Sequence, residues 1–519
     1  MKIAIEKKYL TFPINTSVSQ KRILFRDDSG ELVFDLEAKL DAISPNFTAY
    51  IDVSHFKGMT LNITSEPDMN YEVGATDVYI SDDVYKEPIR PRVHFSVKNG
   101  WNNDPNGLIK MNGKYHMFFQ YNPCSAEWGN MHWGHAVSQD LIHWRELDCA
   151  LFPDRFGTMY SGSAIEDNKA VCPLGCGNSS KMLLYYTAAG NTGRMSAGEK
   201  FTQRLAYSED GIHFKKYDVA PMIPHIEGGN RDPKVVWVDE LSCYILALYL
   251  DGNRFTMYRS DDLLNWEHFQ DFTIPSDREC PDIYPLHCEK EKLWVISAAS
   301  DYYIVGKFCN GRFITLCNEK RLSYNSVNYA AQSFSGLEGG RAVRVYWHRT
   351  HFPSPKVTQQ MSIPVEMSLR RELNGYHLFA LPIKELECLR DRCERYDGIT
   401  LSQPVRIDTK ISPLDITINA EYAENAVIHL NIFGTAVTID TKNNCVRLMK
   451  SKMPLSMKKD SVKLRVIVDV CTIELYADDG RYLMTEQSIA DPNLPYLMLS
   501  ADKPVNITSF EVYTLRSAY

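Results

Sequence analysis

The sequence predicts an almost entirely β-stranded protein. Short apolar runs alternate with polar positions and end in turn residues along most of the chain, a period typical of strands. Aromatic residues, which favour strands, make up 11% of the chain. A chain of 519 residues is expected to form about three domains of roughly 150 residues each. Only the segment 383–392 favours a short helix.

Residues 1–90 predict a small module resembling a β-sandwich. Strand-like runs begin at Ile23, Leu32, Phe47 and Met59, and polar turns separate them at a spacing of about ten residues. A proline-rich segment, 88–92, is interpreted as the linker into the next block.

Residues 91–385 predict a β-propeller. Three segments share a Ser, an Asp two residues later and an aromatic residue six positions after the Ser: Ser138–Trp144, Ser208–Phe214 and Ser260–Trp266. Each follows a strand-like stretch, and their uneven separation excludes a solenoid of fixed period. The pattern favours repeated four-stranded sheets that carry loop insertions. Three unrelated hairpins are the alternative.

Residues 386–519 predict a second β-sandwich. Alternating and β-branched runs begin at Ala426, Val462, Cys471 and Ile507. The segment Asp478–Gly480 is a hairpin turn signal between two of these runs.

Charge and composition exclude several classes of function. The net charge is −8 and the pI about 6.0, which argues against a nucleic-acid partner. No run of 18 apolar residues is present, so no membrane span is expected. The N-terminus lacks the apolar stretch of a signal peptide, and 13 Cys, an odd number, fit reduced thiols. A cytoplasmic location is expected, or an extracellular one if a signal peptide has been removed.

Cysteine and histidine do not predict a metal site. Cys172 and Cys176 form the only close Cys pair, and nothing nearby in the sequence completes a zinc site. His116, His132 and His135 are interpreted as structural residues.

Three acidic signatures predict one active site. Asp104 lies in WNNDPNG at 101–107, Asp232 in NRDP at 230–233 and Glu279 in ECPD at 279–282. Asp104 precedes a Pro and a turn signal, so a strand is expected to end or turn there. Retaining glycoside hydrolysis needs two carboxyl groups about 5–5.5 Å apart. The inner strands of a propeller converge on one axis, which would bring these distant acids together.

These motifs resemble glycoside hydrolase family 32, the invertase and fructan-hydrolase family. Asn102 replaces Met in the first motif and Asn230 replaces Phe in the second, whereas the third is unchanged. Further stretches that match the family follow in order: Phe119–Pro123, Trp133–His135, Tyr160–Ser163, Tyr329–Phe334 and Gln360–Pro364. The resemblance is strong over residues 100–385 and loose beyond them. Residues 1–90 lie outside the family's usual two-domain plan.

The resemblance implies a five-bladed β-propeller followed by a β-sandwich, and no cofactor. It implies that Asp104 is the nucleophile, Glu279 the acid/base and Asp232 the stabiliser of an oxocarbenium-like transition state. A general acid needs a raised pKa, and the two other carboxylates would supply the negative charge at Glu279. The substrate would be a carbohydrate: sucrose, a fructo-oligosaccharide or a fructan such as inulin or levan.

Several further side chains are candidates for binding the sugar. Asn103 and Gln120 carry amides that both donate and accept hydrogen bonds. Arg231 is expected to keep Asp232 ionised, and Cys280 either tunes Glu279 or is a buried structural thiol. The remaining candidates are aromatic walls or hydroxyl groups that serve either the sugar or the core: Trp101, Trp128, Tyr160, Ser161 and Trp347. The family pattern places Asn102 and Asn230 at the apolar rim of the pocket, where they would bear on substrate choice.

Alternatives remain at this point. The same acids serve hydrolysis of terminal β-fructofuranosides, endo-acting fructan cleavage or fructosyl transfer. A non-catalytic sugar-binding propeller is a different class, and the presence of all three acids argues against it. The N-terminal module would bind polymer, pack on the propeller or form a homo-oligomer interface.

Overall fold

A computed structural model describes residues 1–174, 180–325, 327–421, 426–456 and 461–519. Within these ranges the chain is almost entirely β-stranded, which confirms the predicted class. The predicted helix at 383–392 is a short 3-10 helix followed at once by a strand. The 3-10 helices are Ser54–Phe56, Asp82–Lys86 and Lys384–Leu389. No helix among the described residues is long and apolar enough to cross a bilayer. Cys176 of the close Cys pair lies outside the described residues.

The N-terminal block contains two small sheets, with strand orders β1-β6-β3-β4 and β5-β2-β7. Its strands are β1 Lys2–Ala4, β2 Tyr9–Ile14, β3 Lys21–Arg26, β4 Leu32–Ala38, β5 Phe47–Asp52, β6 Thr60–Glu66 and β7 Gly74–Thr76. Apolar side chains from both sheets, including Leu10, Phe25, Phe34 and Ile51, form one buried cluster. The alternation read from the sequence therefore produces two sheets that share a core.

Among the described residues of the next block, five antiparallel sheets of four main strands follow, with the strand orders β11-β10-β9-β8, β12 to β15, β16 to β19, β20 to β23 and β25-β26-β29-β30. The strands of the first three sheets are β8 Gly100–Met111, β9 Lys114–Asn122, β10 His132–Ser138, β11 Trp144–Leu151, β12 Thr158–Glu166, β13 Met182–Ala189, β14 Thr202–Ser208, β15 Lys215–Lys216, β16 Arg231–Val238, β17 Cys243–Asp251, β18 Arg254–Ser260 and β19 Glu267–Thr273. Those of the last two, with three short accessory strands, are β20 Asp282–Cys288, β21 Glu291–Ser297, β22 Tyr302–Cys309, β23 Arg312–Thr315, β24 Lys320–Arg321, β25 Asn328–Ser333, β26 Val343–His348, β27 Val357–Thr358, β28 Gln360–Met361, β29 Val365–Glu372 and β30 Gly375–Pro382.

The first strands of these five sheets form a closed ring. Strand β8 contacts β12, β12 contacts β16, β16 contacts β20, β20 contacts β25, and β25 returns to β8. Strand β27 then adds to the first sheet by pairing parallel to β8 at Gly100 and Trp101. A residue on any of these first strands therefore lies near the common axis.

The repeated Ser-x-Asp pattern occupies equivalent places in the first three sheets, between the third and fourth strands. In the first repeat, Ser138 Oγ donates to Asp140 Oδ1 at 3.0 Å, and the same oxygen accepts from the backbone N–H groups of Ile142 and His143. Asp210 and Asp262 make the same contacts in the other two repeats. The three hairpins are thus related by structure rather than by chance.

In the described part of the C-terminal block, the strands form two six-stranded sheets, β31-β42-β33-β38-β39-β40 and β32-β41-β34-β35-β36-β37. Its strands are β31 Arg390–Leu401, β32 Val405–Asp408, β33 Leu414–Glu421, β34 Val427–Ile432, β35 Thr435–Asp440, β36 Cys445–Leu448, β37 Ser451–Pro454, β38 Ser461–Val468, β39 Thr472–Ala477, β40 Tyr482–Gln487, β41 Tyr496–Ala501 and β42 Val505–Leu515. Both sheets contribute to a second buried apolar cluster. The predicted turn Asp478–Gly480 joins β39 to β40.

Candidate active site

The three acids lie on, or just before, first strands of the central ring. Asp104 is on β8, Asp232 is the second residue of β16, and Glu279 lies three residues before β20. Asp232, Glu279 and Cys280 have positive φ angles of 66°, 58° and 45°. Such a backbone is strained for residues other than Gly, and strain of this kind concentrates at functional sites.

Strand β8 does not end at Asp104, contrary to the sequence prediction. It continues to Met111, and its pairing with β9 shifts register twice, between Asn102 and Pro105 and again between Asn106 and Ile109. The Pro and the Asn-Gly pair are accommodated as bulges, which re-aim side chains without ending the strand. Gly107 is required here, because its φ is 53° and a Cβ atom would lie 2.7 Å from the Phe118 ring.

Asp104 is oriented by a chain of polar side chains. Its Oδ2 accepts a 2.6 Å hydrogen bond from Ser161 Oγ, which in turn accepts from Gln120 Nε2 at 3.0 Å. Asn103 lies beside it and accepts a hydrogen bond from Trp101 Nε1 at 2.8 Å. Burial raises the pKa of Asp104, as does the charge of Glu279, whereas the hydrogen bonds from Ser161 and Asn103 oppose the rise.

Asp232 has a strongly raised pKa. Burial raises its pKa to about 7, and the charges of Asp104 and Glu279 act in the same direction. Arg231, with Nε 3.7 Å from Asp232 Oδ2, opposes the rise. Arg231 therefore favours the ionised form of Asp232, as predicted, but it does not offset the desolvation that raises the pKa. The backbone of Asp232 is held by a hydrogen bond from its N–H to Thr187 Oγ1 at 3.0 Å.

Glu279 lies between two guanidinium groups. Arg231 Nη2 is 3.5 Å from its Oε2, and Arg278 Nε is 3.3 Å from its Oε1. The Glu279 side chain keeps 23% of its accessible surface, whereas that of Asp232 keeps 6%. Glu279 is therefore more open to solvent than Asp232.

Cys280 contacts the two aspartates rather than Glu279. Its Sγ lies 3.7 Å from Asp104 Oδ2 and 3.5 Å from Asp232 Oδ2, and its backbone N–H donates to Asp232 Oδ2 at 3.0 Å. Of the two interpretations of Cys280, direct tuning of Glu279 is therefore not supported by the contacts of the thiol. Burial and the neighbouring carboxylates raise the pKa of Cys280 well above its ordinary value, so the thiol stays protonated and donates.

Two aromatic groups border the acids. Trp128, 53% exposed, meets the Tyr160 ring edge-on at a centroid distance of 5.9 Å, and Tyr160 meets Phe201 at 5.4 Å. On the other side, Trp101 contacts Trp347 at 5.9 Å. Trp101 and Trp347 are partly buried. Of these three tryptophans, Trp128 is therefore the one whose exposure argues most clearly against a purely core-packing role.

Asn102 and Asn230 lie in the interior rather than at a pocket rim. Both are fully buried. Asn230 Oδ1 accepts from Ile226 N at 3.1 Å, whereas neither amide atom of Asn102 has a hydrogen-bond partner among the described residues. Buried polar groups normally have partners.

Several residues at the site were not predicted from the sequence. Arg278 directly precedes Glu279, and its position beside the motif was the available signal. Thr187 and Phe201 lie on or after β13, in a stretch with no motif, and only the three-dimensional arrangement identifies them. The Arg231 guanidinium lies over the Tyr249 ring, 4.7 Å from the ring centre.

Comparison with known proteins decides the family. The model of the glycosyl hydrolases family 32 N-terminal domain matches residues 94–382, and that of the family 32 C-terminal domain matches residues 390–514. The chain belongs to glycoside hydrolase family 32. It is a glycoside hydrolase, and the family read from its motifs is confirmed.

Curated relatives and solved structures agree with this family. The chain is 28% identical to a levanase of Bacillus subtilis over 84% of this chain and 72% of the relative. It is 31% identical to an extracellular exo-inulinase of Aspergillus awamori over 78% and 90%. The crystal structure of that exo-inulinase superposes with a TM-score of 0.74 at 24% identity, covering 84% of this chain and all of the other. A β-fructofuranosidase from Schwanniomyces occidentalis gives 0.72 at 22% identity, covering 82% and 98%.

Proposed function

We propose that this family 32 hydrolase is a retaining fructosidase that releases terminal β-D-fructofuranosyl units through a fructosyl-enzyme intermediate. The observation that supports it best is that the Cys280 Sγ lies 3.7 Å from an Asp104 oxygen and 3.5 Å from an Asp232 oxygen. Glu279 directly precedes Cys280 in the chain. Relatives named levanase and exo-inulinase support fructans as substrates, and one named sucrose-6-phosphate hydrolase supports sucrose-like ones.

Asp104 and Glu279 would carry out the two chemical steps of the reaction. In the first step, an Asp104 oxygen attacks the anomeric carbon while Glu279 transfers its proton to the glycosidic oxygen, and the leaving sugar departs with that bond's electrons. In the second step, Glu279 takes a proton from water, which attacks the same carbon and restores the Asp104 carboxylate. The hydrogen bond from Ser161 aims Asp104 and stabilises its anionic form.

Asp232 would bind fructose hydroxyl groups. With a pKa of about 7, it is partly protonated near neutral pH, so its carboxyl group both donates and accepts hydrogen bonds. Ionisation on substrate binding would place negative charge beside the oxocarbenium-like transition state.

The five central sheets would be the blades of a five-bladed propeller, because their first strands close a ring and β27 joins the first sheet. We propose domains at 1–90, 91–385 and 386–519. The family matches at 94–382 and 390–514 support both boundaries.

Product analysis tests the activity. The protein is incubated with sucrose, 1-kestose, inulin and levan, and every released sugar is identified. Fructose is expected as the only sugar released from the chain ends of inulin and levan, with glucose beside it from sucrose and with sucrose beside it from 1-kestose. Oligosaccharides released from inulin or levan indicate an endo-enzyme, and lengthened products indicate fructosyl transfer. With methanol as acceptor, a retaining enzyme forms the methyl β-fructofuranoside, and the α-anomer would overturn the retaining mechanism.

Substitution tests the roles of the acids. Asp104→Asn is expected to lower kcat by about 10⁴-fold or more, and Glu279→Gln by about 10²- to 10⁴-fold. The matched control is Asp28→Asn, the same change at an exposed carboxylate of the N-terminal module. Unchanged turnover of every fructoside by Asp104→Asn would overturn the proposal.

A further inference from the structure

The N-terminal module contacts two loops at the mouth of the candidate site. The first loop is 123–131, between β9 and β10, and it carries Trp128. The second loop is 190–201, between β13 and β14, and it carries Phe201. Of the three roles considered for this module, packing on the central sheets is therefore the one seen here.

Asn130 links the first loop to the module. Its side-chain Oδ1 accepts from Glu37 N at 2.7 Å, and its Nδ2 donates to Glu37 O at 2.7 Å. A second contact joins Lys39 Nζ to Glu127 Oε1 at 2.7 Å. One amide thus satisfies both backbone groups of a strand residue, in the way that another strand would.

Asp35 links the second loop to the module. Its two oxygens accept from Met195 N at 3.0 Å and from Arg194 N at 2.9 Å. Arg22 of the module pairs with the same carboxylate. Asp35 is 9% exposed, so water competes little for these hydrogen bonds.

Each of the two loops places an aromatic side chain against the Tyr160 ring. Trp128 of the first loop and Phe201 of the second both meet Tyr160 edge-on. Tyr160 directly precedes Ser161, which donates to the Asp104 carboxylate. Trp128 and Phe201 therefore flank Tyr160, the ring next to Ser161, and we call these three rings the aromatic row.

The Trp128 ring of the aromatic row needs external support. Trp128 is 53% exposed, so burial contributes little to fixing its position. Asn122, the last residue of β9, donates from its Nδ2 to Glu127 O at 2.8 Å, and Asn130 Nδ2 also donates to Asn122 Oδ1 at 3.2 Å. These bonds brace the residues on both sides of Trp128, and the contact of Asn130 with Glu37 anchors them to the module.

We propose that the N-terminal module determines specificity by holding the aromatic row in place for sugar units beyond the terminal fructosyl group. Aromatic faces pack on the apolar faces of sugar rings, and a fixed ring loses less entropy on binding than a mobile one. The module thereby favours oligomeric and polymeric fructosides over sucrose. Asn130 and Asp35 are positioning residues in this arrangement. The inference rests on the proposed fructosidase activity and names the part of that site that selects chain length.

Two variants release one loop each. Asn130→Gly removes both hydrogen bonds to Glu37 and suits the local backbone, whose φ is 46°. Asp35→Ala removes the acceptor for Arg194 and Met195. The measurement is kcat and KM for sucrose and for a fructan tetrasaccharide. Each variant is expected to lower the tetrasaccharide-to-sucrose ratio of kcat/KM by about two- to tenfold, mainly through KM.

A matched control tests a contact elsewhere in the same module. Tyr9 Oη donates to Asp148 Oδ1 at 3.0 Å on β11, the fourth strand of the first central sheet. Tyr9→Phe removes this bond and is expected to leave the ratio of kcat/KM values unchanged. A fall equal to that of Asn130→Gly would mean that general loosening of the module, and not the loop contacts, sets the ratio, and it would overturn the inference.

A double-substitution cycle separates positioning from stability. If Asn130 acts through Trp128, Asn130→Gly adds no further loss to the ratio in a Trp128→Ala background. An unchanged ratio in both single variants, or full additivity with Trp128→Ala, would overturn the inference, and neither readout depends on the unfolding midpoint. Absence of fructose release from every substrate by the wild-type chain would instead overturn the proposed function.

Discussion

Two buried clusters of charged groups in this protein have opposite electrostatic character. One is the set of three acids at the candidate site. The other, here called the His94 cluster, joins the segment before β8 to the C-terminal sheets and comprises His94, His348, Asp469 and Glu474. His94 Nδ1 lies 2.7 Å from Asp469 Oδ2, and its Nε2 lies 3.3 Å from Glu474 Oε1.

The pKa directions differ between the two clusters. In the His94 cluster, burial lowers the pKa of His94, but its hydrogen bonds to the two acids outweigh burial and raise it to about 9. Burial raises the pKa values of Asp469 and Glu474, yet the contacts with His94 bring both below their ordinary values. At the site, by contrast, the pKa values of Asp104 and Asp232 end above their ordinary values.

The difference shows which cluster serves stability. In the His94 cluster, each charge is matched by a hydrogen-bonded partner, so ionisation and folding favour each other. At the site, Arg231 and Arg278 lie beside Asp232 and Glu279 only, and the charges of Asp104 and Asp232 are not fully compensated. Uncompensated buried acids destabilise a fold and are a mark of catalytic or binding sites. A protonated His94 also has no lone pair for a metal ion, although its Nε2 lies near His348 and Glu474.

The largest stability effect is expected from breaking the His94 cluster. His94→Gln removes the cation between two fully buried carboxylates, so the free energy of unfolding is expected to fall by about 3–5 kcal/mol. The matched control is His143→Gln at an exposed His–Asp pair, with an expected loss below about 1 kcal/mol. Urea unfolding of both variants at pH 6 measures the difference. Equal losses of unfolding free energy in the two variants would contradict the conclusion that the His94 cation stabilises the buried carboxylates.

The same variant has a defined pH dependence. The folded pKa of His94, about 9, lies above its ordinary value of 6.5. Its stabilisation is therefore fully present below about pH 6.5 and is lost as the pH rises through about 9. The difference in unfolding free energy between wild type and His94→Gln should narrow over this pH window. A difference that widens would contradict the upward shift of the His94 pKa.

Asp232→Asn is expected to raise stability while lowering activity. The folded pKa of Asp232, about 7, lies above its ordinary value of 3.8, so ionisation above pH 4 progressively destabilises the fold. The gain for the variant should be near zero at pH 4 and reach up to about 4 kcal/mol above pH 7. Unfolding at both pH values measures it, with Asp28→Asn as control. A stability difference independent of pH would show that Asp232 is not the buried, strained acid described here.

Much of this site was predictable because its residues lie in short motifs on strands with strong alternation. The three acids, Gln120 and Ser161 were identified from the sequence, and the structure brings them together. The desolvation of Asp232 that Arg231 does not offset was not predicted, because desolvation depends on packing from all sides. The burial of Asn102 was missed for the same reason.

Loops and contacts between modules were the least predictable features. The sequence of loop 190–201 has no apolar periodicity, so nothing in it places Phe201 beside Tyr160. The role of Asn130 depends on Glu37, a residue 93 positions away, and on backbone groups that any residue carries. Such contacts are fixed by tertiary packing, which single-sequence patterns do not report.

The smallest effect is expected from Cys280, which connects the two unbalanced aspartates. A hydroxyl is a stronger hydrogen-bond donor than a thiol, so Cys280→Ser should stabilise both carboxylates and lower their pKa values. The acidic limb of kcat/KM against pH should then move down by up to about one pH unit, with kcat changed less than about threefold. Cys280→Ala, which removes the donor, should move the limb upward. Cys309→Ser, the same change on β22, controls for the substitution itself. Identical pH profiles for the serine and alanine variants would show that the thiol only fills space, and the raised pKa values would then arise from burial and from the carboxylates acting on one another.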